Sequence, residues 1–96
     1  MTLLPNGCAI YAVCASTLLY DHGVRCRLVS VKLSQDRHVL CLFMLNGRLR
    51  AYDNNGTRTL GRGITLDSHP KVIAKSWLNI VVFKKNWPKK IEAHWY

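Results

Sequence analysis

At 96 residues, with 49% hydrophobic and 20% charged side chains, the chain has the make-up of a single folded domain over residues 1–96, which excludes the disordered and low-complexity classes. Its apolar runs fall short of the roughly 18–20 residues needed to cross a bilayer, so no membrane span is expected. Fourteen Lys and Arg against five Asp and Glu, a net charge of +9, favour a polyanion, an acidic protein surface or an anionic lipid as partner and name none of them.

Residues 1–7 offer neither a basic start nor an apolar stretch of signal-peptide length, so a cytoplasmic protein is expected. In that compartment Cys8, Cys14, Cys26 and Cys41 are expected as free thiols. None of them falls in a C-x-x-C pair, so no metal is expected, and no cofactor. Residues 6–22 read as one helix with Asn6 as N-cap and Gly23 as left-handed stop. Its stripe is Cys8, Tyr11, Ala12, Ala15, Leu18, Leu19 and His22, and the two alanines let that face lie close to a sheet. Residues 24–33 alternate polar and apolar as a strand does, and a turn at residues 34–36 follows. Residues 38–45 form a nearly continuous apolar run, the mark of a buried strand. Asn46-Gly47 signals a type I′ hairpin, and residues 49–53 return as its second strand, ended by Asn54-Asn55-Gly56. A short strand and a loop are expected over residues 57–67. Ser68 is placed to cap a short helix through about Lys75, with Pro70 in its first turn. Residues 78–83 look like a further strand, and residues 84–96 mix charge and aromatics without a period. This order predicts an α+β fold, one N-terminal helix packed on an antiparallel sheet.

The hairpin serves as a ruler. A two-residue loop pairs Leu45 with Arg48, Leu42 with Ala51 and Leu40 with Asp53. One face then carries His38, Leu40, Leu42 and Met44 opposite Leu49, Ala51 and Asp53, with His38 and Asp53 on a diagonal of about 7–8 Å between Cβ atoms. That brings an imidazole and a carboxylate within hydrogen-bond reach at one end of the sheet. Cys8 falls in the first turn of the helix, where unpaired N–H groups and the macrodipole favour a thiolate. With the helix face laid near His38, Cys8, His38 and Asp53 form a nucleophile, a base and an orienting acid.

In this order the chain resembles the bacterial transglutaminase-like cysteine peptidases. The matching segments are Gly7-Cys8 with Tyr11-Ala12, Leu18-Leu19 with Gly23-Val24, Arg27-Leu28-Val29 with Val31-Lys32, His38-Val39-Leu40, and Asp53-Asn54. The resemblance spans residues 6–60. It implies a papain-like, transglutaminase-like core, a cysteine protease activity with Cys8, His38 and Asp53 as catalytic triad, and a protein or peptide substrate. Transamidation or glutamine deamidation would use the same groups. Members of the family commonly flank the nucleophile with acidic residues that help to bind calcium; Gly7, Ala9 and Ile10 stand there instead, so no calcium site is expected. The Cys8 backbone N–H and the Asn6 side chain are candidates for the oxyanion hole, with Asn54 as a further substrate-side candidate.

Plainer readings stand beside these. Cys14, Cys26 and Cys41 read as small buried hydrophobes, His22 as a cation at the helix end, and His69 and His94 as surface residues. Lys84, Lys85, Lys89 and Lys90 interleave with Trp87, Trp95 and Tyr96, a pattern that suits single-stranded nucleic acid or simply a solvated face. The alternative function is therefore a non-enzymatic basic binding protein, of the kind a phage or mobile element would use against an acidic host protein or nucleic acid.

Overall fold

The computed structural model describes residues 7–34 and 36–96, and side chains from Tyr11 onward. It is an α+β fold in three layers. Helix α1 (Gly7–Asp21) leads into strands β1 (Cys26–Lys32), β2 (Arg37–Leu45), β3 (Arg48–Asp53) and β4 (Gly56–Thr59), followed by helix α2 (Pro70–Val81), a 3₁₀ turn at Lys84–Asn86 and strand β5 (Glu92–Trp95). The five strands form one antiparallel sheet in the order β4-β3-β2-β1-β5. Among the described residues no helix is long and apolar enough to cross a membrane.

Local chemistry accounts for the boundaries. Gly23 takes φ +76° and ends α1: its N–H reaches the Tyr20 carbonyl at 2.9 Å and the Val24 N–H the Leu19 carbonyl at 2.8 Å, the paired bonds of a Schellman stop. Asn46 and Gly47 hold φ +53° and +75°, both positive as a type I′ turn requires. The register follows from it, Leu45 opposite Arg48 and Leu42 opposite Ala51.

Alternation along these strands sends two sets of side chains to opposite faces. Val29, Val31, Leu40, Leu42, Leu49 and Ala51 pack with Ile73, Ala74, Trp77 and Leu78 of α2 to make the main core. Val39 and Cys41 on the other face pack with Ala12 of α1, and Ala15, Leu19, Cys26, Leu28 and Tyr52 close around them. The sheet is thus covered by a helix on each side.

The second helix corrects the sequence reading. His69, rather than Ser68, is the N-cap of α2, its Nδ1 accepting from the Lys71 N–H at 3.1 Å, while the Ser68 hydroxyl accepts from the Thr65 N–H. The helix continues to Val81 through the residues expected as a strand. Its apolar positions at 73, 74, 77 and 78 hold a stripe on the core, and that burial overrides the strand preference of Ile80 and Val81, whereas Val82, the C-cap, is extended. Strand β5 is too short to show a period in the sequence. On α1 the buried stripe is narrower than expected: Ala12 is buried, whereas Tyr11 and Leu18 are 50% and 63% exposed. Of the three described thiols, all free, Cys41 is buried and Cys26 partly so, but Cys14 is exposed.

Candidate active site

His38 is the second residue of β2 and Asp53 the last of β3. The hairpin register turns both toward α2, where the His38 Nε2 lies 2.6 Å from the Asp53 Oδ2. Both side chains are largely shielded, at 14% and 6% exposure. The second carboxylate oxygen, Oδ1, accepts the backbone N–H of Asn55 at 2.8 Å, an Asx turn that fixes the rotamer of Asp53. With the ring donating Nε2–H to the carboxylate, Nδ1 becomes the basic nitrogen of the imidazole.

A third residue completes this end. Trp77 of α2 stacks on His38 with ring centroids 5.1 Å apart and planes inclined by 22°. The indole shields one face of the imidazole and, with the carboxylate, leaves the ring little freedom. The dyad opens into a cavity of about 240 Å³ bordered also by Leu33, Asn55, Arg58, Val81 and Val82. Trp77 and Arg58 are the site residues that sequence reasoning missed. Helical spacing from Ile73 through Trp77 marks the tryptophan as core-facing, but a helix ended near Lys75 leaves it out. Arg58 follows from its pairing opposite Ala51, which turns it to the dyad's face.

The other expected members fall elsewhere. Asn6 lies outside the described residues. Asn54 is exposed in the turn between β3 and β4, and its neighbour Asn55 borders the dyad's cavity. Cys8 belongs to the first turn of α1, and its side chain is not among those described. The helix itself covers the face of Val39, Cys41 and Leu28, opposite the face of His38, Asp53 and Trp77. The expectation that this helix lays its stripe beside His38 is therefore corrected. The physical reason lies in α1 itself, apolar nearly all round, so that its pattern does not select one side of the sheet. Its start nevertheless lies toward the dyad's end of the sheet. The Ser16 carbonyl receives the Cys26 thiol at 3.6 Å where β1 begins, and Ala12 packs on Val39, so the helix runs back toward the end where β2 starts.

The chemistry at hand is that of an oriented, water-shielded general base in a small cavity with a guanidinium close by. Comparison with protein-family models, with curated proteins and with solved structures finds no match to this chain.

Proposed function

We propose that the protein is a thiol acyl-transfer enzyme, hydrolysing a peptide bond with Cys8 as nucleophile, His38 as base and Asp53 as orienting acid, on a reduced transglutaminase-like core. The 2.6 Å hydrogen bond between His38 and Asp53, shielded by Trp77, is the observation that supports it. In this reading the Cys8 thiol gives its proton to His38 Nδ1 and attacks the carbonyl carbon. The imidazolium then protonates the departing amine as the C–N bond breaks. A water deprotonated by the same nitrogen attacks the thioester, which releases the acid and restores the thiol. A primary amine in place of that water gives transamidation. The packing sets one condition: because α1 and the dyad lie on opposite faces, the thiol has to meet the imidazole round the end of the sheet at which both α1 and β2 begin.

The test is the pH profile of Cys8 alkylation by iodoacetamide, with Cys14 distinguished by peptide mapping. A rate reaching its maximum well below the free-thiol range of about 8.5, and losing that feature in His38→Ala, is the expected result. Ordinary thiol behaviour in both proteins would overturn the reading.

One observation favours a second reading. Among the described lysines and arginines only Arg25 and Lys32 stand within ion-pair distance of a carboxylate, at 3.3 Å from Asp67 and 3.8 Å from Glu92, and most of the fourteen cations are exposed to solvent. A basic binding protein without catalysis would keep its biological activity in Cys8→Ser, whereas the enzyme would lose it.

A further inference from the structure

We propose that the substrate is taken as an acidic, extended peptide segment, bound in a basic groove that starts at the His38–Asp53 cavity and ends at the free edge of the sheet; this rests on the acyl-transfer reading above. Three hollows follow one another along the molecule. The dyad's cavity shares Leu33 with a hollow of about 290 Å³ beside the end of β1. That hollow in turn shares Lys90 and Glu92 with a larger one of about 580 Å³ between β5 and the start of α2.

Cations border the whole course: Arg58 at the dyad, Lys32, Lys89 and Lys90 in the middle, and Lys71 at the far end. The carboxylate bordering the two outer hollows, Glu92, is held 3.8 Å from Lys32. Such a groove concentrates negative charge along a line rather than at one point.

Two features select a peptide over a nucleic acid. First, β5 is an edge strand with a sheet neighbour on one side only, so its main chain can pair with an added strand, a mode open to peptides. Second, the tryptophans near the groove are engaged. Trp77 is stacked on His38, Trp95 lies under the Arg27 guanidinium at 3.5 Å, and the Trp87 indole N–H donates to the Val82 carbonyl at 3.1 Å. Single-stranded nucleic acid binds largely by stacking bases on exposed rings, and of the three aromatics that interleave with the lysines only Tyr96 is exposed, too few for a run of stacked bases.

The experiment uses fluorescence anisotropy with a labelled peptide of alternating Glu and Val, about ten residues long, which at ~3.3 Å per residue spans about 30 Å. A Gln/Val peptide of equal length and a labelled oligothymidylate are the comparators. The Glu/Val peptide is expected to bind about tenfold more tightly than the Gln/Val peptide, through several exposed ion pairs acting together. That preference should shrink with added salt and vanish in the Lys89→Glu/Lys90→Glu double variant, whose changes fall on exposed side chains. Equal affinity for the two peptides, a preference untouched by the double variant, or tighter binding of oligothymidylate would overturn the proposal. The two readings fail separately. Peptide preference is read in Cys8→Ala, where no acyl transfer is possible, and Cys8 alkylation is read in the lysine double variant, where the groove is altered but the dyad is not.

Discussion

The indole of Trp77 lies against the imidazole of His38, centroids 5.1 Å apart, so one buried side chain serves both the core and the acid–base pair. At 3% exposure Trp77 belongs to the main core, and its removal leaves a cavity under α2. Trp77→Ala should cost about 3–5 kcal/mol in urea denaturation, and Trp77→Phe, which keeps an aromatic ring there, about 1–2 kcal/mol. A merely structural tryptophan would stop at that. Here Trp77→Phe should also raise the rate at which diethyl pyrocarbonate modifies His38 in the folded protein, as mapped by mass spectrometry, because the smaller ring uncovers the imidazole.

Asp53 divides its two oxygens between the His38 ring and the Asn55 N–H. Asp53→Asn keeps an oxygen for Asn55 but presents an NH₂ group to the imidazole, so Nε2 becomes the acceptor and the proton moves to Nδ1. The base is lost while the turn remains. We expect any peptide hydrolysis to fall about a hundredfold or more, and Cys8 alkylation at neutral pH to fall about tenfold toward that of an ordinary thiol, with a stability loss of only about 1–2 kcal/mol. The ¹⁵N chemical shifts of His38 would report the exchange of tautomers directly, and an unchanged pattern would show that the carboxylate does not set the ring.

Cys41 provides a stability signal from the opposite face of the sheet. Burial, with Cys26 beside it, pushes its thiol from 9.0 up to about 12. The unfolded chain therefore releases this proton first as pH rises, while the folded protein still holds it. Stability from this group is complete below about pH 9 and declines between about pH 9 and 12, at up to about 1.4 kcal/mol per pH unit. Denaturation curves recorded from pH 8 upward should show this decline in the wild type and a shallower one in Cys41→Ala. In the native protein iodoacetamide should modify exposed Cys14 and leave Cys41 untouched until unfolding.

Much of this was legible in the sequence, because a two-residue turn dictates a register. Asn46-Gly47 sets Leu42 opposite Ala51, the register decides which residues share a face, and the His38–Asp53 contact follows from that. Gly23 marks the end of α1 just as directly. What remained hidden are matters of packing between elements. Tyr11, Val13, Leu18 and Tyr20 are exposed although apolar, so hydrophobicity along α1 points to no single side of the sheet. The stretch Ile80-Val81-Val82 reads as strand by residue type, yet α2 extends into it because Trp77 and Leu78 are already committed to the core. Strand β5, with four residues, is defined by its pairing to β1 rather than by any pattern of its own.

That pairing is reinforced by Arg27. Its guanidinium lies 3.5 Å from the ring centre of Trp95 and donates to the Leu66 carbonyl at 3.0 Å, so one side chain ties β1 to β5 and to the loop before α2. A planar group with several donors can stack and donate together, which an ammonium does less well. Arg27→Lys should therefore destabilise the protein by about 1 kcal/mol despite keeping the charge, and Arg27→Ala by about 2 kcal/mol. The loss should be local. Hydrogen exchange at the amides of His94 and Tyr96, the latter bonded to the Leu28 carbonyl at 2.8 Å, should accelerate well before that of Leu40 or Leu42 in the sheet centre, because β5 is held on one side only. If the edge strand borders a peptide groove, its fraying in Arg27→Ala should also weaken the Glu/Val peptide while leaving Cys8 alkylation as it is in the wild type. Uniform loss of protection across the sheet would instead show that Arg27 supports the whole fold rather than this edge.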